Sequence, residues 1–229
     1  VELSEDLILS GNITLNKDMV IREGVSLTLP NNKNFTVGEG GSIKMLGTLS
    51  VAQGGTFKNS GFIHIGFVLK NAGSFANIEG ARLEAGEGSV IENTGNFTNR
   101  GQIDIMGAAF KNTSGRFTTY NTGGLSFSEG ATIYSPGEFH NAGYMKITDE
   151  YRDETTSVKI ENFSGLTNDS EWIDYTAAVY SDAGLAEAIL AQEQKISALG
   201  GKENLNGLLV YERLDFAANM TVTGSKSLE

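Results

Sequence analysis

Cysteine is absent from this 229-residue chain, which excludes disulfides, thiolate nucleophiles and every Cys-ligated zinc or iron–sulfur site. A chain of this length buries a sizeable core without such staples, so the absence leaves the redox compartment open. Lys and Arg number 17 against 28 Asp and Glu, a net charge of −11, and nowhere do the basic residues cluster. Binding to nucleic acid or to an anionic membrane through a basic patch is thereby excluded. No apolar run approaches the ~20 residues that cross a bilayer. No charged-then-apolar leader opens the chain, so export would require a signal removed upstream of Val1. The sequence also lacks a G-x-S-x-G elbow, an H-E-x-x-H helix, a P-loop and a dinucleotide fingerprint. Proline occurs only twice and histidine only twice, as His64 and His140.

What the chain has in abundance is glycine, 29 residues spread evenly along it, and repetition. GTFKNSGFIHI at 55–65 returns as GNFTNRGQIDI at 95–105 and as GEFHNAGYMKI at 137–147. Columns of like residues run through these copies and between them. One reads Ile43, Ile63, Leu83, Ile103, Leu125, Met145, and a second, two residues on, reads Met45, Ile65, Ala85, Ile105, Phe127, Ile147. A glycine column runs Gly41, Gly61, Ala81, Gly101, Gly123, Gly143. Upstream lies a column of Val37, Phe57, Phe75, Phe97, Phe117 and Phe139, followed by one of Asn59, Asn77, Asn99, Thr119 and Asn141. The period is therefore about 20 to 22 residues, not the roughly 42 that the most similar copies suggest.

Within a unit the apolar spacing is two: Phe57, Asn59, Gly61, Ile63 and Ile65 share one parity, and Thr56, Lys58, Ser60, Phe62 and His64 the other. That alternation is the signature of strands, with the apolar parity inward. A further apolar pair in each unit, such as Val68-Leu69 or Val90-Ile91, leads to Asn71-Ala-Gly73 or Asn93-Thr-Gly95. These read as corners built on residues that tolerate positive φ. Three short strands and three corners per unit, restacked every turn, describe a parallel β-solenoid, because one coil alone cannot bury its inward row. The Phe column becomes an internal ring stack. An inward Asn column is tolerated if each amide bonds the next, so Asn59, Asn77, Asn99 and Asn141 are expected to form a structural ladder.

In period and in its G-x-F-x-N-x-G-x-I-x-I unit, the stretch from about residue 20 to 165 resembles the right-handed parallel β-helix shared by pectate-lyase-like enzymes and bacterial cell-surface repeat proteins. The resemblance implies an all-β solenoid over residues 1–180 and leaves function open. Two departures follow. TDEYRDETTS at 148–157 interrupts the register, and its Asp149, Glu150, Asp153 and Glu154 are candidate Ca²⁺ ligands, the only cofactor the sequence leaves in view. Residues 181–201 carry Leu185, Ile189, Ile196 and Leu199 at helical spacing, with Asp182 placed to cap and Gly200-Gly201 to stop, and read as one amphipathic capping or linking α-helix. Beyond it, Leu208, Val210, Leu214, Phe216, Met220, Val222 and Leu228 copy Leu7, Leu9, Ile13, Leu15, Met19, Ile21 and Leu27 at an offset of 201. Residues 202–229 are thus expected to open a second β-helix module, within a longer array.

Outward-facing chemistry is sparse. Glu84 and Asp104 fall on adjacent coils, about 5 Å apart, with His64 and Arg82 beside them. Paired carboxylates serve glycoside hydrolysis or a metal, whereas the pectate-lyase resemblance implies a basic group beside an acidic Ca²⁺ cluster. Phe62 and Tyr144 lie on the same outward parity and offer rings that stack on sugars or contact a partner. The leading expectation is a non-enzymatic extracellular surface module, a bacterial adhesin-like or stalk-like rod whose partners are glycans or cell-surface proteins. A β-helical polysaccharide lyase or glycoside hydrolase and a carbohydrate-binding module are the alternatives.

Overall fold

A computed structural model describes residues 1–147 and 158–169, together with the backbone of the strands Ile173–Tyr175 and Ala178–Tyr180. The acidic group at 149–154, the amphipathic segment 181–201 and the second-module segment 202–229 lie outside the described residues. Within them the chain is an all-β parallel solenoid. Three sheets of nine, nine and eight strands run its length, and every strand pairs with the strand three places on in the chain. The first sheet runs from Glu2–Leu3 to Ile173–Tyr175, the second from Leu7–Ile8 to Ala178–Tyr180, and the third from Ile13–Leu15 to Leu166–Asn168. Nine strands at the usual interstrand spacing make a rod about 38 Å long.

Burial alternates along the central strands, as in Phe62–Ile65, where Ile63 and Ile65 are buried and Phe62 and His64 face outward. Stacking places like on like: Ile43, Ile63, Leu83, Ile103, Leu125 and Met145 are in register and buried. In the third sheet the rings of Phe35, Phe57, Phe75, Phe97, Phe117 and Phe139 stack at centroid separations of 4.5–5.2 Å. The first member of that column is Phe35 and not Val37, which instead sits opposite Asn59. A constant step of 20 residues misplaces it because the corner at 38–41 is two residues longer than the corner at 60–61.

Corner length between the third and first sheets in fact alternates: four residues at 38–41, 78–81 and 120–123, two at 60–61, 100–101 and 142–143. The three near-identical sequence copies are the coils with the two-residue corner. A coil period near 20 and a two-coil period near 42 are therefore both real, the first set by strand stacking and the second by corner length.

Asn59 donates to the Asn77 Oδ1 at 2.8 Å and Asn77 to the Asn99 Oδ1 at 2.9 Å, while their second amide hydrogens reach the carbonyls of Arg82 and Gln102. Each side chain thus bonds the next coil and also ties the third sheet to the first across the corner. Thr119 breaks the run of amides, and Asn99 keeps the cross-corner bond of the column, to the Gly124 carbonyl at 2.9 Å.

A second ladder, read from the sequence as positive-φ corners, occupies the junction of the second and third sheets. Asn71 donates to Asn93, Asn93 to Asn112 and Asn112 to the Ser135 hydroxyl, at 2.8–3.0 Å, and the spare amide hydrogens reach the carbonyls of Asn96, Arg116 and Glu138. These asparagines are buried, and neither they nor Gly73 and Gly95 have positive φ. The glycines are required by close approach: a Cβ on Gly73 would meet the carbonyl oxygen of Ala52, and one on Gly95 that of Gly73.

Candidate surface site

The outward parity of the first sheet presents two parallel rows. One runs Ser42, Phe62, Arg82, Gln102, Gly124, Tyr144 and the other Lys44, His64, Glu84, Asp104, Ser126, Lys146. Strand register thus brings His64, Arg82, Glu84 and Asp104 onto three neighbouring strands, Phe62–Ile65, Arg82–Ala85 and Gln102–Met106. It leaves Tyr144 two strands beyond them, and four strand steps, about 19 Å, from Phe62.

Arg82 is the hub. Its Nη2 lies 2.7 Å from Glu84 Oε1 and 3.1 Å from Asp104 Oδ2, and its Nε donates to Asp104 Oδ2 at 3.1 Å. Gln102, absent from the sequence-derived candidates, donates its amide to Asp104 Oδ1 at 2.8 Å, so both oxygens of Asp104 are engaged. His64 Nδ1 stands 3.8 Å from Glu84 Oε2, beyond hydrogen-bond reach, and the imidazole lies beside the space that side chains on Gly66 and Gly86 would enter. The carboxylates are mostly covered, with side-chain exposures of 18% for Glu84 and 17% for Asp104, while Arg82 is 55% exposed. This geometry forms a cross-strand ion network in which one guanidinium is shared by both carboxylates. A retaining or inverting pair would instead hold two carboxyl groups on either side of a sugar ring, one of them able to deliver a proton.

Among the described residues no group of three or more His, Asp or Glu side chains converges on a point where a metal ion would sit. Phe62 and Tyr144 are exposed, at 36% and 40%. His140, on the third sheet, has its Nε2 3.5 Å from Asp169 Oδ2. Elsewhere on the surface, Arg22 hydrogen-bonds Glu2 across the first two coils and holds that carboxyl below its ordinary range.

Sequence reasoning left out Gln102, Leu46 and Phe67. The last two are exposed apolar side chains at the corner between the first and second sheets. Gln102 was legible in principle, since it shares a row with Arg82 and lies two residues before Asp104 on the same face. Leu46 and Phe67 lie outside the alternating strands, where parity carries no information.

The pattern of the family described as BigA fourth domain matches residues 40–176. No curated protein and no solved structure matches the chain.

Proposed function

This chain belongs to the BigA fourth-domain family, and from that premise we propose that it is a non-catalytic surface module, a β-solenoid spacer that holds or displays a binding face outside a bacterial cell. The family is associated with bacterial surface proteins, which supports that location. One observation carries the non-catalytic reading: the residues that repeat are those that stack, while Glu84 and Asp104 spend their carboxylates on Arg82 and Gln102. Among the described residues no helix is long and apolar enough to cross a membrane.

The reading is tested by incubating the chain with acidic and neutral polysaccharides, with and without Ca²⁺, and following release of reducing ends or unsaturated products. No turnover is expected. Turnover lost on Glu84→Gln or Asp104→Asn would replace the spacer with a polysaccharide-acting enzyme. A second reading, carbohydrate binding, draws on the two exposed rings of one outward row. Glycan-array binding that vanishes in the Phe62→Ala/Tyr144→Ala double variant would establish it, and array binding that the variant leaves unchanged would remove that face from consideration.

A further inference from the structure

Leu46 and Phe67, on neighbouring coils at the corner between the first and second sheets, are 39% and 49% exposed, and Phe67 is the most open aromatic side chain among the described residues. They border a third outward row of the first sheet, two residues on from the row of His64. It runs Arg22, Leu46, Gly66, Gly86, Met106, Ser128. Two adjacent coils of that row therefore carry no side chain, a gap about 10 Å long on the rod. His64 stands at its edge. A Cβ on Gly86 would lie 3.5 Å from His64 Cε1, and one on Gly66 would lie 3.9 Å from His64 Nε2 and 3.5 Å from Leu46 Cδ2.

Nothing in the fold requires glycine at 86. Its φ is not positive. Its added Cβ would make only ordinary van der Waals contacts, whereas one on Gly61 would collide with the carbonyl oxygens of Gly41 and Gly38. The corner that Gly86 opens closes with a hydrogen bond from the Ser89 amide to the Gly86 carbonyl at 3.1 Å. The same turn, with the same Glu-Gly at its centre and the same 3.1 Å bond, is built at 22–25 from Arg22 and at 128–131 from Ser128. A glycine here loses conformational entropy on folding without relieving strain or collision. What it provides is an open approach to the imidazole.

The polar atoms around the gap are not engaged. Among the described residues neither ring nitrogen of His64 has a hydrogen-bond partner, and Glu84 Oε2 has only the imidazole, 3.8 Å away. A neutral imidazole offers one donor and one acceptor, and the carboxylate oxygen a further acceptor. An occupant made only of apolar side chains would cover these atoms without pairing them, which costs free energy. An anionic one would be repelled by Glu84 and by the exposed Glu87 in the adjoining corner. A neutral pyranose meets both demands, with a C–H face to pack on Phe67 and hydroxyls that both donate and accept. We infer that the gap at Gly66 and Gly86 is a binding site for a neutral sugar residue of a glycan, held by His64, Glu84, Leu46 and Phe67. The inference rests on the carbohydrate-binding reading and moves it to a different row from that of Phe62 and Tyr144.

The test follows the Cε1 proton resonances of the two histidines while the full chain is titrated with neutral hexose and N-acetylhexosamine tetrasaccharides, and with a uronic-acid tetrasaccharide as the charged control. His140, on the third sheet, is the internal reference. A neutral tetrasaccharide should shift the His64 signal saturably and leave that of His140 in place, and the uronic-acid probe should move neither. Gly86→Met, which gives this coil the side chain that Met106 gives the next, should weaken binding about tenfold or more, as should Phe67→Ala. Gly86→Ala should hold or raise the melting temperature. The inference is overturned if no neutral probe shifts His64, if Gly86→Met binds as the parent does, or if the uronic-acid probe binds more tightly. A lower melting temperature for Gly86→Ala would also overturn it, by showing that the fold itself needs the glycine. Saccharide binding lost in the Phe62→Ala/Tyr144→Ala variant but indifferent to Gly86→Met would overturn this site and leave the carbohydrate reading standing.

Discussion

Asn77 accepts a hydrogen from Asn59 while donating one to Asn99 and one to the Gln102 carbonyl, so a fully buried amide has each polar atom engaged. Removing it strands the Asn59 donor and the Asn99 acceptor in an apolar interior, where an orphaned group costs about 1–3 kcal/mol. Asn77→Ala should therefore lower the unfolding free energy by about 3 kcal/mol, read from urea titration, and a loss below 1 kcal/mol would show the ladder to be energetically idle. The converse experiment uses the one gap in the run. Thr119 Oγ1 and Asn141 Oδ1 are buried without a hydrogen-bond partner, while Asn99 keeps its cross-corner bond to the Gly124 carbonyl. Thr119→Asn restores the residue found at the other positions of the column, accepts from Asn99 and donates to Asn141. A gain of about 1 kcal/mol is expected. An unchanged or lower stability would mean that the side chain does not fit between Phe117 and the corner at 120–123.

At the scale of strands and corners, glycine does two different things, and sequence alone does not separate them. Gly88 has φ +73° and open space around its missing side chain, so its requirement is conformational. Gly101 has no positive φ, but a Cβ there would collide with the carbonyl oxygens of Ala81 and Ile78 and come within 2.9 Å of Asn77 Nδ2. Thermal or urea unfolding should rank the two: Gly88→Ala costing about 1 kcal/mol, and Gly101→Ala costing about 3 kcal/mol because backbone of adjacent coils must separate. Equal costs would contradict the close-approach account. The same ambiguity limited what could be read from the residues. Stacked columns were legible because burial with period two repeats at every coil, as in Ile43, Ile63 and Leu83. The second ladder was not, because Asn71-Ala-Gly73 is compatible both with a positive-φ turn and with a buried amide against a tight corner. Spacing alone places Val37 in the Phe column because its corner is longer, and corner length leaves no mark on strand alternation. At the candidate site the row of Lys44, His64, Glu84 and Asp104 followed from register, whereas the pairing of Arg82 with both acids depends on rotamers that no spacing encodes.

Over the whole rod, the three corners are not equivalent. Asparagine ladders clamp the junction of the second and third sheets and the junction of the third and first, each amide bonding the ladder residue of the next coil and the carbonyl that opens that coil's strand beyond the corner. The junction of the first and second sheets carries no such ladder among the described residues. It is where Leu46 and Phe67 are exposed, and where the ten residues 148–157 are spliced between Ile147 and Val158. An insertion at a corner costs little loop entropy, since doubling a loop adds only about 0.6 kcal/mol, so its real cost is whatever hydrogen bonding it breaks. Evolutionary or engineered variation should therefore collect on the unclamped corner, and that corner is the natural place for a rod of this kind to carry recognition loops. The two kinds of corner should therefore respond unequally to insertion. Gly-Ser-Gly-Ser inserted between Glu129 and Gly130, an exposed tip on the unclamped corner, should cost less than about 1 kcal/mol. The same four residues between Ser60 and Gly61 would pull the Gly61 amide from Asn59 Oδ1 and the Gly61 carbonyl from the Arg82 amide, at a cost of about 3 kcal/mol or more. Urea midpoints of the two insertion variants, compared at equal slope, measure the difference directly. Equal destabilisation would show that the ladders do not set which corner can vary.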